Sequence, residues 1–421
     1  MWPGCEVCER GLDGAGRSGD GSRMSETFDV LIVGAGAAGM MAAVEAGRRG
    51  RRVVIVDHAD APGEKIRISG GGRCNFTNLG AGVGAMLGEN PRFATSALKR
   101  FTQRDFIRRV DQAGIAWHEK TLGQLFCDGS AKQIVQMLTG QMREAGVSLR
   151  LGVGVSDVVR AGGPDSGGWR VRLTDGAEVK PQSLVLATGG KSIPKMGATG
   201  WALETARGLG LRLTETRPGL VPLTFEQGLL ERTKALAGLS VDAVVRHGKT
   251  AFREGLLFTH RGLSGPSILQ ISSYWTEGEA VTASLAPDVD VFAALKAAKQ
   301  ANGKQAVQTA LGLITPRRLA DWVCESEGVD GRLGDLPDGK LRALDQAVNG
   351  WTVKPVGSEG YRTAEVMLGG IATDQLDQQT MQAKTVPGLF CIGEAVDITG
   401  WLGGYNFQWA WSSGWAAGQA C

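Results

Sequence analysis

The chain is poor in the side chains that usually carry reactions. It has four histidines and three tyrosines in 421 residues, and aromatic residues make up only 6%. No apolar run approaches the roughly 20 residues that a membrane-spanning helix needs, so no membrane partner is expected. The formal charge of +3 is small, and no Arg/Lys-rich tract stands out. Both observations argue against a nucleic-acid partner. Seven cysteines lie dispersed at positions 5, 8, 74, 127, 324, 391 and 421. Cys5 and Cys8 form a CxxC with no second pair, which speaks against zinc, and no CxxxxC redox pair is present. The dispersal suits a reducing, cytoplasmic setting. Residues 1–23 lack an apolar segment of signal-peptide type and read as a disordered leader. Met24 offers an alternative start.

Glycine, by contrast, is abundant: 63 residues, about twice the usual share of roughly 7%. The first informative cluster is "FDVLIVGAGAAG", in which a β-branched run meets Gly34, Gly36 and Gly39. An Ala-rich helical stretch and a second strand ending in Asp57 follow. In this unit Gly34 permits the tight turn, Gly36 lets a pyrophosphate approach the backbone, and Gly39 lets helix and strand pack closely. Ala37 and Ala38 open the helix, whose free N–H groups favour phosphate. Asp57 is placed to bind a ribose hydroxyl. The unit therefore predicts a dinucleotide site.

Later elements select the nucleotide. "SLVLATGG" is a strand ending in Thr188, Gly189 and Gly190, a turn that recurs in FAD-binding folds of the two-dinucleotide type. "TVPGLFCIGEAVD" resembles the second FAD fingerprint, with Gly393 and with Glu394 on the ribityl chain. "GGYNFQ" brings Gly404, Tyr405 and Asn406 at the start of a small-residue helix. "GVSLRLGVGVSDVV" adds a strand whose Val155 backbone would meet the adenine. The expected cofactor is FAD. No second GxGxxG unit appears, so NADH or NADPH would act as a diffusible donor.

"ISGGGRCNFTN" is the oddest run, and no ordinary helix or strand is written that way. Bare Gly71 and Gly72 would let the chain pass against a flat cofactor. Arg73 would neutralise phosphate or reduced flavin, and Asn75, Thr77 and Asn78 would bond the ring edge or substrate oxygens. Cys74 beside Arg73 reads as a packing thiol. With "LATGGKSIPKMGATGWALETARGLG", "LLFTHRGLSGPSIL" and "GEAVDITGWLGGYNFQ", this run resembles the BaiN/YhiN-like FAD-dependent oxidoreductases, which include bile-acid Δ4,6-reductase-like and aminoacetone-oxidase-like proteins. The resemblance covers almost everything from Phe28 onward. It departs from the family pattern at Asp57, Cys127 and Met367.

The expected fold is α/β: a Rossmann-like FAD-binding domain in two parts, 24–200 and 352–421, around an insert at 201–351. Residues 92–145 read as a helical excursion within the first part. The insert reads as a β-barrel over 211–287 and helices over 290–348. His260, in "FTHRGLSGP", is the leading candidate for a substrate acid or orienter, against a turn histidine that bonds its own loop. Arg261 would hold a carboxylate, and Tyr405 would donate a proton or pack. The leading function is hydride transfer at flavin N5 to a conjugated C=C bond of a small organic substrate. An amine oxidase, a flavin-binding regulator and an RNA-modifying flavoprotein are the alternatives, the last disfavoured by charge. These motifs predict a yellow protein. Acid precipitation should release FAD, not FMN, and recovery of NAD alone or of no nucleotide would refute the assignment.

Overall fold

The computed structural model describes residues 27–161 and 168–421. The leader 1–23 and Met24 lie outside the described residues. Five parallel strands form the centre, in the spatial order Leu389–Cys391, Ser183–Leu186, Val30–Val33, Val53–Val56 and Ser148–Arg150. All residues of the Val30–Val33 and Val53–Val56 strands are buried, as their unbroken apolar pattern requires in a sheet covered on both faces. Along the chain these strands come first, second, third, fourth and fifth in an order of 5-4-1-2-3. The order reverses beside the first strand, where doubly wound sheets leave a crevice for ligands.

Two helices from opposite ends of the chain meet over this sheet. The first is Ala37–Arg48 and the last is Tyr405–Gly418. A Cβ added at Gly414 would stand 2.4 Å from the Ala38 carbonyl oxygen, and one at Gly418 would stand 2.5 Å from Glu45 Cβ. Only bare backbone allows this crossing.

The segment 64–78 is partly regular after all. Glu64–Gly72 is helical but broken at Ser69, Gly70 and Gly71, and Asn75–Asn78 is a strand. Left-handed angles at Gly70, Gly71, Gly72 and Cys74 turn the chain between them, which explains the glycines. The strand pairs with Gln124–Cys127, which pairs in turn with Trp117–Glu119. The stretch 92–145 is thus not wholly helical. Its hairpin is held by a strand about 50 residues upstream, a non-local partner that local pattern does not reveal.

Buried apolar residues form two clusters. One gathers Val30 to Leu211 with Met367 to Cys421, and the other runs from Leu223 to Val353. The second contains a seven-stranded antiparallel sheet. Its edge strands are Trp351–Val353 and Gly357–Ser358. Laid flat, seven strands would separate the edges by about 29 Å. The chain from Val353 to Gly357 spans at most about 14 Å, so the sheet curls into a barrel-like form. Four helices, Val291–Ala301, Val307–Leu311, Arg317–Ser326 and Asp338–Asn349, lie in the chain between the sheet's strand Val281–Ser284 and its edge strand Trp351–Val353 and join the same cluster.

The helix crossing gives a prediction. Gly414→Val should destabilise the protein by about 1–3 kcal/mol or more, the usual cost of overpacking. Gly208→Ala, where an added Cβ meets nothing within 4 Å, should be neutral within error. Denaturant midpoints measure both, and equal midpoints would show that the crossing tolerates side chains.

Candidate active site

One cavity of about 580 Å³ runs along the crevice. Its first end is the turn Gly34–Ala38 with Asp57 and His58. The Asp57 carboxylate accepts the Ala35 N–H at 2.7 Å and the Ala59 N–H at 2.9 Å, so it ties the glycine turn to the loop after the second strand. Each oxygen keeps lone-pair capacity for a hydroxyl. Gly39 lies behind the turn, and a Cβ there would stand 1.9 Å from the Gly34 oxygen. At Gly36 an added Cβ meets nothing within 4 Å. Packing therefore does not demand this glycine; its empty side faces the cavity.

The first helix begins at Gly36 and the last at Gly404, neither with a side-chain cap, and the opening residues of both line the cavity. Two sets of free N–H groups thus face one space, a setting that favours anionic or polar ligand groups.

The middle of the cavity holds a charged cluster. Lys65 Nζ lies 2.6 Å from Glu394 Oε2 and 2.7 Å from Ser192 Oγ. Ser192 Oγ and the Met367 N–H donate to Glu394 Oε1 at 2.7 and 2.9 Å. Burial pushes the Glu394 carboxyl up, but the Lys65 charge and these hydrogen bonds outweigh it and hold it below the usual carboxylate range. Gly190 does not line the cavity. It is bare because a Cβ would come within 3.0 Å of Glu394 Oε1. Gly189, Gly393 and Thr188 do line it. Thr188 Oγ1 is buried without a hydrogen-bond partner, an arrangement that a bound hydroxyl or phosphate would satisfy.

The far end is made by Asn75, Gln124, Gly403, Gly404 and Asn406 from the first cluster, with Gly71 beside it. The Asn75 and Gln124 amides lie 3.2 Å apart. Leu220, Glu254 and Pro266 close this end from the second cluster's side, next to Leu402, Glu365 and Val366. Gln270 donates to Glu254 at 3.2 Å and accepts the Leu402 N–H at 2.9 Å, stitching the two sides together.

Several expected site residues lie elsewhere. Asn78 donates to the carbonyls of Leu122 and Gly403, so it fastens the turn before the last helix. Thr77 is fully buried on Gln408. Cys74 is fully buried as well, and burial pushes its thiol up, so it packs rather than reacts. Gly72 and the exposed Arg73 do not line the cavity. The left-handed run at Gly70–Gly72 turns the Arg73 side chain outward before the strand begins. Val155 does not line it either; Gly152 and Val153 make the bonds to Ala59 and Asp57. Tyr405 is half-buried outside the lining, with its hydroxyl toward Gly80.

His260 and Arg261 form the exposed turn between the strands Thr250–Thr259 and Gly262–Ser264, and neither lines the cavity. Thr259 Oγ1 caps this turn by accepting the Arg261 and Gly262 N–H groups. Glu254, on the same strand, does reach the cavity, and six residues of strand carry the turn about 20 Å beyond it. The structure therefore does not support His260 or Arg261 as substrate contacts. Sequence reasoning missed Lys65, Ser192, Gln124, Glu254 and Glu365. Lys65, one of two cations just before the glycine run, was the one with a local signal. No metal-holding cluster occurs among the described residues, and no helix is long and apolar enough to cross a membrane.

The charged cluster predicts how ligand retention responds to mutation. Lys65→Met should weaken FAD retention roughly tenfold or more, the scale of a lost hydrogen bond to a charged group. Glu394→Gln should weaken it less, because its amide oxygen still accepts. Fluorescence titration of the apoprotein with FAD measures both, and unchanged affinity in the lysine variant would remove Lys65 from the site.

Comparison with known proteins fits this architecture. The HI0933-like protein Rossmann domain matches residues 28–420. The ribosomal RNA dihydrouridine synthase of Escherichia coli (strain K12) is 50% identical over 94% of this chain and 98% of its own length. The protein of the same name from Haemophilus influenzae is 40% identical over 93% and 98%. The 3-dehydro-bile acid delta(4,6)-reductase of Clostridium scindens is 27% identical over 92% and 98%. The chain belongs to the HI0933-like Rossmann-domain family and is an FAD-dependent oxidoreductase.

Proposed function

We propose that this protein reduces the C5=C6 bond of a uridine in ribosomal RNA to give dihydrouridine. The observation that carries the reading is a single cavity in a chain half identical to a ribosomal RNA dihydrouridine synthase. That cavity joins a bare-glycine nucleotide end to a carboxyl-lined, partly apolar far end. The uracil C5=C6 bond is conjugated with the C4 carbonyl, so the expected chemistry on a conjugated C=C bond is kept. The substrate changes, and the expectation of no nucleic-acid partner is not supported by these relatives. Net charge averages over the whole surface, whereas RNA meets a local one. Exposed Lys195 lies between the lining residues Ile193 and Met196, and the Ile193 N–H to Tyr361 carbonyl bond of 2.9 Å brings the segment of exposed Arg362 alongside.

Bound flavin would supply the hydride, and a diffusible nicotinamide would re-reduce it. The chain's own residues bind and orient. The N–H groups at Gly36–Ala38 would hold the diphosphate, Asp57 a ribose hydroxyl, and Glu394, paired with Lys65, the ribityl hydroxyls. Asn75 and Gln124 would bond the polar edge of the ring system, while the Asn406 side chain, bonded to the Gly400 N–H and carbonyl at 2.8 Å each, braces the turn beside it. Leu220, Pro266 and Leu402 exclude water where the base would enter.

Ribosomal RNA from cells lacking the protein is the test substrate. Incubation with the protein and NADPH should add two hydrogens to one uridine, read as dihydrouridine by nucleoside mass spectrometry. Intact uridine, together with NADPH-dependent reduction of a steroid enone, would replace the RNA reading with the small-molecule one.

A further inference from the structure

The far end of the cavity contains a carboxyl group that no hydrogen bond or ion pair engages among the described residues. Glu365 is surrounded by protein, yet its surface is accessible. Both hold because the accessible side faces the cavity it lines. Its backbone N–H bonds the Leu220 carbonyl at 3.2 Å, which fixes the chain as it enters the strand Val366–Leu368. Two residues along that strand, the Met367 N–H holds Glu394. Glu365 therefore sits about 7 Å, one strand repeat, from the middle of the site.

The other titratable groups around the cavity are committed. Lys65 and Glu394 pair with each other, and Glu254 accepts from Gln270. Asp57, His58 and Glu64 stand toward the nucleotide end, where Asp57 holds backbone N–H groups and Glu64 pairs with Arg67. No hydrogen bond or ion pair engages the Glu365 carboxyl among the described residues. Burial alone acts on it and pushes it up. The shift is toward the neutral acid, the form that can donate a proton.

We propose that Glu365 is the proton donor of this site, protonating C5 of the uracil ring as hydride arrives at C6. The inference rests on the reading of the protein as a uridine reductase. Hydride adds at C6, the position conjugate to the C4 carbonyl, and the π electrons shift toward C5 and O4. The carboxyl O–H bond breaks as the C5–H bond forms. Glu365 is left as a carboxylate and recovers its proton from water. Bound reduced flavin would supply the hydride and a reduced nicotinamide would restore it, so two electrons and two protons reach the C5=C6 bond in all.

Two measurements test this. In single turnover, with the holoenzyme reduced beforehand, Glu365→Gln should slow reoxidation by ribosomal RNA by roughly two to four orders of magnitude, the usual yield of a positioned acid. Glu365→Asp should recover part of the rate, and Glu254→Gln should cost less than Glu365→Gln. In pH-difference infrared spectra of the oxidised holoenzyme without RNA, a protonated carboxyl band should appear at neutral pH and vanish in Glu365→Gln. A wild-type rate in Glu365→Gln, a larger loss in Glu254→Gln, or no such band would overturn the proposal. A band in a protein that leaves uridine unreduced would refute the RNA reading while keeping Glu365 as the site's neutral acid.

Discussion

The close crossing of the first and last helices is the constraint on which the site depends. Gly414 and Gly418 let Tyr405–Gly418 lie against Ala37–Arg48 with backbone nearly touching backbone. This contact joins segments more than 360 residues apart and directs both helix N-termini into one cavity. Buried polar groups on the last helix reinforce it. Ser413 accepts the Gly393 N–H, Trp409 donates to the Gly393 carbonyl, and Trp411 donates to the Phe76 carbonyl. Each bond ties the helix to a strand or turn beside the site, so helix placement and cavity shape are one event.

Within that frame the electrostatics are divided by position. At the centre, Lys65 compensates Glu394 and keeps it charged despite burial. At the far end Glu365 has no such partner. The two glutamates are chemically alike, and environment alone shifts one carboxyl down and the other up. Surroundings also remove Cys74 and Tyr405 from reactive roles. Burial pushes the Cys74 thiol up and leaves it a packing group, whereas Tyr405 is set apart by its position outside the cavity lining.

The departures from the family pattern also acquire physical meaning. Met367 contributes a backbone N–H to Glu394 and a backbone carbonyl to Thr399. Neither bond depends on its side chain, so methionine serves where threonine is usual. Asp57, one methylene shorter than glutamate, reaches the Ala35 and Ala59 N–H groups directly. Both positions keep the backbone bonds that shape the nucleotide end and the middle of the cavity.

The sequence by itself determined the nucleotide-binding half of the fold. A β-branched run, the GxGxxG spacing, an Ala-rich helix and Asp57 lie within about 30 residues, and local periodicity and turn chemistry specify such a unit without distant help. Gly393, Glu394 and Gly404 were legible for the same reason. Only the tertiary structure decided the rest. Lys65 meets Glu394 across 329 residues, and Gln124 reaches the cavity through a strand paired far upstream. His260 looked reactive in its loop, but strand length carries that turn away from the cavity while Glu254 points in. Glu365 has no motif around it; its character comes from what surrounds it and from the absence of a cation beside it. Spacing along a chain fixes local backbone shape, whereas the state of a carboxyl depends on neighbours that only folding supplies.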